Sequence, residues 1–258
     1  MDYLQAIVLG IVEGITEYLP VSSTFHLIWM GKFLGIANTD FQKAFEVIIQ
    51  AGAIFAVALL YWKRILTNRQ LVNKVLVAFI PTVIVGLVLY KLIKNFFFDN
   101  SFLQLSVFIL IGLTFILFEK YKGKNLSKNL ATLTYRQSLT IGLIQSLAVI
   151  PGVSRAGAVI LGLMFLGIRR DEAAVFSFLL AIPTLLAASG LDLVKTWPTL
   201  TSSAQNIGLL AVGFVTSFLS ALVFVRWFIS FFQKHSLESF GWYRIMLGIF
   251  LLLTRGLL

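Results

Sequence analysis

The chain has 258 residues, 59% of them hydrophobic and 12% charged, with a mean hydropathy of +0.92. Soluble domains carry roughly a quarter charged residues, so a soluble fold is excluded and an all-α integral membrane protein is expected. The formal charge of +10 gathers in short stretches between apolar runs, the pattern of a membrane topology and not of a nucleic-acid face, and zero cysteines exclude disulfides and thiolate metal sites.

From the N-terminus, Met1-Asp2-Tyr3 lacks the basic start of a signal peptide. Residues 3–36 form an apolar region interrupted at Pro20, which predicts two half-length helices folded as a re-entrant hairpin. Spans follow at about 44–62, 75–93 and 102–118. A basic loop at 119–136 precedes a second interrupted region, 137–168, broken at Pro151. Three more spans are expected at about 173–191, 206–225 and 242–258. Each span holds sixteen to twenty residues, near the roughly 20 that cross the hydrocarbon core.

Two basic stretches orient these elements. Lys63, Arg64, Arg69 and Lys74 form one, and Lys120, Lys122, Lys124, Lys128 and Arg136 form the other. Placing both inside also puts Arg169, Arg170, Arg226, Lys234 and Arg244 inside and leaves the loops near Asp99 and Asp192 outside. The first hairpin then opens to the outer face.

The chain also repeats. Phe33-Leu34-Gly35-Ile36 recurs as Phe165-Leu166-Gly167-Ile168, and Pro20 and Ser23 match Pro151 and Ser154. One membrane domain, 1–258, thus divides into halves 1–120 and 137–258, each a hairpin plus three spans. An odd number of spans inverts the second half, an architecture met in transporters.

Polar residues concentrate at the two interruptions. Glu13 and Glu17 lie four apart, on one helix face. They suit a metal-binding or proton-handling pair, or a pair of protonated carboxyls that holds the hairpin. Ser22, Ser23 and Thr24 follow Pro20, and Gly152, Ser154 and Arg155 follow Pro151. Hydroxyls there are natural N-caps, and two helix starts meeting with an arginine would form an anion site. His26, three residues beyond Ser23, suits acid–base or nucleophilic service. Glu46 and Gln50 either extend the pocket or cap a span. Gly10 and Gly14 mark a close helix contact, and Phe96-Phe97-Phe98 is a lipid-facing or core run. Carboxylates beside a bound phosphate require protonation or a divalent cation, Mg²⁺ or Ca²⁺, on Glu13 and Glu17.

The stretches Val12–His26 and Pro151–Gly157, with Phe45–Gln50, Phe176–Pro183 and Trp242-Tyr243-Arg244-Ile245, resemble the bacterial undecaprenyl-pyrophosphate phosphatases, also called bacitracin-resistance proteins. The resemblance spans nearly the full chain. It implies conversion of undecaprenyl pyrophosphate to the monophosphate in the bacterial inner membrane, recycling the carrier for peptidoglycan synthesis and removing bacitracin's target. It implies catalytic roles for Glu13, Glu17, Ser23, His26 and Arg155, with Ser22, Thr24 and Ser154 in support. The expected partners are the polyprenyl pyrophosphate and membrane lipids, with a homodimer left open. The family usually has glycine in place of Phe25 and serine in place of Ala156, and a ring at Phe25 is expected to narrow the approach between Thr24 and His26. Attack by Ser23 with His26 handling the proton is the favoured mechanism, and direct attack by His26 is the rival. A lipid-phosphate flippase or anion transporter is the alternative of another class.

Overall fold

The computed structural model describes residues 1–37, 39–97, 101–122 and 126–254. Among them are ten α-helices and no strand. They are α1 (Tyr3–Thr16), α2 (Ser23–Phe33), α3 (Asp40–Thr67), α4 (Arg69–Phe97) and α5 (Ser101–Tyr121), then α6 (Tyr135–Ser146), α7 (Arg155–Phe165), α8 (Arg170–Leu200), α9 (Ala204–Lys234) and α10 (Glu238–Leu253).

Five helices are long and apolar enough to cross a membrane: α3, α4, α5, α8 and α9. This makes the chain an all-helical, multi-pass membrane protein. The helices outrun the apolar spans read from the sequence, because hydrogen bonding continues into polar ends that hydropathy does not count. At 31 residues, α8 is about 46 Å long, more than the roughly 30 Å hydrocarbon core. The sixth expected span, 242–258, corresponds to the 16-residue α10, and residues 255–258 lie outside the described ones. So do Asp99, Lys124 and the side chains of Phe96, Phe97 and Phe98.

Both prolines expected to break helices do so, since Pro20 and Pro151 fall in the turns between α1 and α2 and between α6 and α7. Pro81, Pro183 and Pro198 instead lie inside continuous helices. Neighbouring helices can make good the lost hydrogen bond there.

Matching local signals begin and end the two broken pairs. Asp2 and Gln5 form a capping box at the start of α1, and Thr134 and Gln137 form another at the start of α6. Both α2 and α7 stop at a left-handed glycine, Gly35 (φ 65°) and Gly167 (φ 88°). The amides of Ile36 and Ile168 bond back to Gly31 and Leu163, so the repeated Phe-Leu-Gly-Ile is a Schellman stop.

The packing exchanges partners between halves. Helix α1 lies along α9 and α6 along α4, while α3 packs on α8 and α9, and α5 on α10. A Cβ on Gly10 would stand 2.6 Å from the Gly213 carbonyl, and one on Gly14 would stand 2.3 Å from that of Ser217. The expected close contact is therefore between α1 and α9, at backbone distance.

The first basic stretch is not a loop. Asn68 alone separates α3 from α4, and Lys74 is buried in α4, donating to the Leu130 and Ala131 carbonyls at 3.0 and 3.1 Å. Ion pairs gather at this end: Arg64–Glu172 at 3.2 Å, Arg170–Glu119 at 2.5 Å and Arg169–Asp171 at 2.6 Å.

Candidate active site

The two turns meet inside the bundle. Tyr18, in the first turn, donates its hydroxyl to the Ala53 carbonyl at 3.1 Å, near the midpoint of α3. From the second turn, Ser154 Oγ reaches the Leu19 carbonyl at 3.4 Å. Arg155, the first residue of α7, donates from Nη2 to Glu17 Oε1 at 2.7 Å and from Nη1 to the Ser177 carbonyl at 2.8 Å. The acidic half and the guanidinium half of the chain are thus one centre, and both partners of the ion pair are buried. Burial of two charges is tolerated because each satisfies the other and further bonds hold the geometry.

Ser23 opens α2, and its hydroxyl donates to Glu17 Oε2 at 2.6 Å, the short distance of a charge-assisted bond. Glu17 therefore joins the serine to the arginine. The expected Ser23–His26 pairing is not made. His26 Nδ1 faces the Ser22 carbonyl at 2.8 Å, and Nε2 faces the Tyr243 hydroxyl at 2.7 Å. Since a carbonyl only accepts, Nδ1 carries the proton and Nε2 holds the neutral ring's lone pair. Ser22 adopts φ 68°, a left-handed conformation unusual for a residue with a Cβ, and this turns its carbonyl onto His26.

Glu13 is fully buried, and neither carboxyl oxygen meets a hydrogen-bond donor. Glu17, Glu46 and Arg155 are the charged groups around it. Glu46, one of the charges near Glu13, accepts from Gln42 Nε2 at 2.9 Å on its own helix. Gln50, one turn along α3, and Thr24 are half-buried and make no hydrogen bond to the cluster.

The hydroxyls divide their work. Ser154 caps its own helix, accepting from the Gly157 amide at 3.1 Å. Ser22 occupies the equivalent place on α2 but makes no side-chain cap, leaving that buried helix start open. Gly152 is a turn residue: its φ of 97° suits glycine, and a Cβ would stand 2.7 Å from the Gln104 carbonyl.

Three contributors escaped the sequence reading. Arg244, counted among the inside charges, is fully buried instead. It donates to the Phe108 carbonyl at 3.0 Å, the Pro20 carbonyl at 3.1 Å and the Gly152 carbonyl, tying both turns to α5. Tyr243 holds His26, and Ser177 holds Arg155. The signal for Arg244 was present, because a lone arginine in an apolar helix deserves the same suspicion as Arg155. The Phe25 ring is buried face to face on Phe108, centroids 4.0 Å apart, and lies edge-on to the His26 ring at 5.9 Å.

Helix starts, a buried arginine and a hydroxyl aligned on a carboxylate, all within a bundle of apolar helices, define a membrane-embedded protein with a buried polar centre. The chain matches the family described as Bacitracin resistance protein BacA over residues 6–250, and it belongs to that family. It is 48% identical over 250 residues to an undecaprenyl-diphosphatase of Aquifex aeolicus, covering 96% of this chain and 97% of that one. It is 46% identical over 252 residues to one of a Sulfurihydrogenibium species, covering 96% and 98%. To one of Wolinella succinogenes it is 45% identical over 254 residues, covering 98% of each.

Proposed function

We propose that this chain is an undecaprenyl-diphosphate phosphatase: it hydrolyses the terminal phosphate of undecaprenyl pyrophosphate, returns the monophosphate carrier to cell-wall synthesis and thereby confers bacitracin resistance. The observation that carries the reading is the Ser23–Glu17–Arg155 chain of bonds at the meeting of the two turns. Ser23 attacks the terminal phosphorus, its proton passes to Glu17, and the bridging P–O bond breaks with its electrons leaving on the lipid phosphate. Water then attacks the phosphoserine, His26 Nε2 taking its proton, and the Oγ–P bond breaks as Ser23 recovers its proton from Glu17. Arg155 and the uncapped amides at the start of α2 offset charge on the phosphoryl oxygens.

Glu13 and Glu17, whose carboxyls adjoin, would hold a divalent cation such as Mg²⁺ or Ca²⁺, and among the described residues no third acidic or histidine ligand joins them, so the remaining ligands would be phosphate and water oxygens. Bound there, the cation would supply positive charge to phosphate oxygens.

The finer architecture belongs to the same proposal. The two broken helix pairs are re-entrant hairpins, α10 completes six spans, and residues 1–120 and 137–258 are inverted repeats of a single domain. Matching capping boxes, Schellman stops and exchanged packing support this. The centre opens to the outer face of the inner membrane. The test is inorganic phosphate release from a C55 diphosphate by the purified protein, with and without chelator. Wild type releases phosphate only before chelation and Ser23→Ala not at all; an active Ser23→Ala defeats the serine mechanism.

A further inference from the structure

We propose that Tyr243 is a positioning residue for the reaction: in the tautomer that the Ser22 carbonyl selects, it donates to His26 Nε2 and holds that nitrogen and the ring plane at the mouth of the centre. The inference rests on the role given to His26 above. Its grounds are geometric. Both ring nitrogens of His26 have one partner each, Ser22 O at 2.8 Å and Tyr243 Oη at 2.7 Å. The carbonyl fixes the proton on Nδ1, so the phenol is the donor and Nε2 the acceptor. The two rings lie nearly parallel, 7° apart with centroids at 5.8 Å, so the tyrosine restrains the plane of the imidazole as well as its proton.

The neighbouring residue sets the position of this contact. Arg244, next in α10, is anchored to Pro20, Gly152 and Phe108, so α10 has little freedom to carry Tyr243 away from His26. Tyr243 is 43% exposed, whereas Glu17 and Arg155 are buried. The His26–Tyr243 pair thus forms the accessible rim of a closed centre, where incoming water can replace the phenol on a nitrogen already presented as an acceptor.

The chain contains two histidines, so a His235→Gln background leaves His26 as the only imidazole. Nitrogen-15 NMR of histidine-labelled, full-length protein in nanodiscs then reads the tautomer. The expected result is a protonated Nδ1 and an unprotonated Nε2 in the background protein, and an Nε2 resonance displaced from its hydrogen-bonded position in Tyr243→Phe. With a C55 diphosphate substrate, kcat of Tyr243→Phe should fall on the order of tenfold, a part of what acid–base catalysis supplies, with KM held within about twofold. The variant deletes one half-exposed oxygen, and a thermal unfolding scan confirms an intact fold. An unmoved Nε2 resonance, or an unchanged kcat, overturns the proposal. Full activity in His26→Gln would instead overturn the role of His26 beneath it, a separate outcome.

Discussion

Arg155 forms two bonds in different directions, one to a carboxylate and one to a backbone carbonyl. A lysine keeps the charge but not the planar fork, so Arg155→Lys cannot hold Glu17 and Ser177 together. Phosphate release should fall about 10²- to 10³-fold, as for the loss of one transition-state donor, while the unfolding midpoint shifts little. Activity near the wild-type level would show that only charge is used. Glu13, Glu17, Ser23 and Arg155 were legible because polar groups at membrane depth are costly and so conspicuous. Which of them pair was not legible. Ser23 lies three residues from His26 and six from Glu17, yet it bonds the glutamate, while His26 is held by the Ser22 carbonyl and by Tyr243, 217 residues away in sequence. Arg244 was obscured for a different reason: a charge close to the start of an apolar run reads as a loop residue until its burial is known.

Among the helices, the α1–α9 contact is the tightest test of packing. A side chain on Gly14 meets the Ser217 carbonyl, the Ser220 hydroxyl and the Ala221 amide, none of which can yield without shifting a helix. Gly14→Leu should therefore lower the thermal unfolding midpoint, with an overpacking cost of about 1–3 kcal/mol or more. Gly86→Leu, on α4 with nothing nearby, should leave the midpoint where it is. Equal effects would mean that both report helix propensity and not the contact. The existence of the long helices and the two breaks could be read from apolar run length and from Pro20 and Pro151. Their ends could not, since α3 and α8 continue for several residues past the apolar window on capping and ion pairing that hydropathy ignores. Nor could the tolerance of Pro81 and Pro183, which depends on neighbours far away in sequence.

For the whole molecule, the exchange of partners means that neither half encloses a site by itself. The first supplies Glu13, Glu17 and Ser23, the second Arg155 and Tyr243, and α5 and α10 bind the turns from outside. An inverted arrangement puts the α3–α4 junction inside and the α8–α9 junction outside. The native chain has no cysteine, so single replacements report this directly. Asn68→Cys should react with an impermeant maleimide only from the cytoplasmic side, and Ser202→Cys only from the outer side. Labelling of both from one side would rule out the inversion. The four identical residues were visible in the sequence, but their physical meaning was not: Phe-Leu-Gly-Ile encodes a way to stop a helix.

The grip of Arg244 falls entirely on main-chain oxygens, those of Phe108, Pro20 and Gly152. Side-chain exchange along either bend, Gly152 excepted, therefore leaves its anchor points in place. Chemistry at the centre can be retuned, residue by residue, while the spacing between its acidic and cationic sides stays fixed, so mutational drift around the pocket is buffered from becoming geometric drift within it.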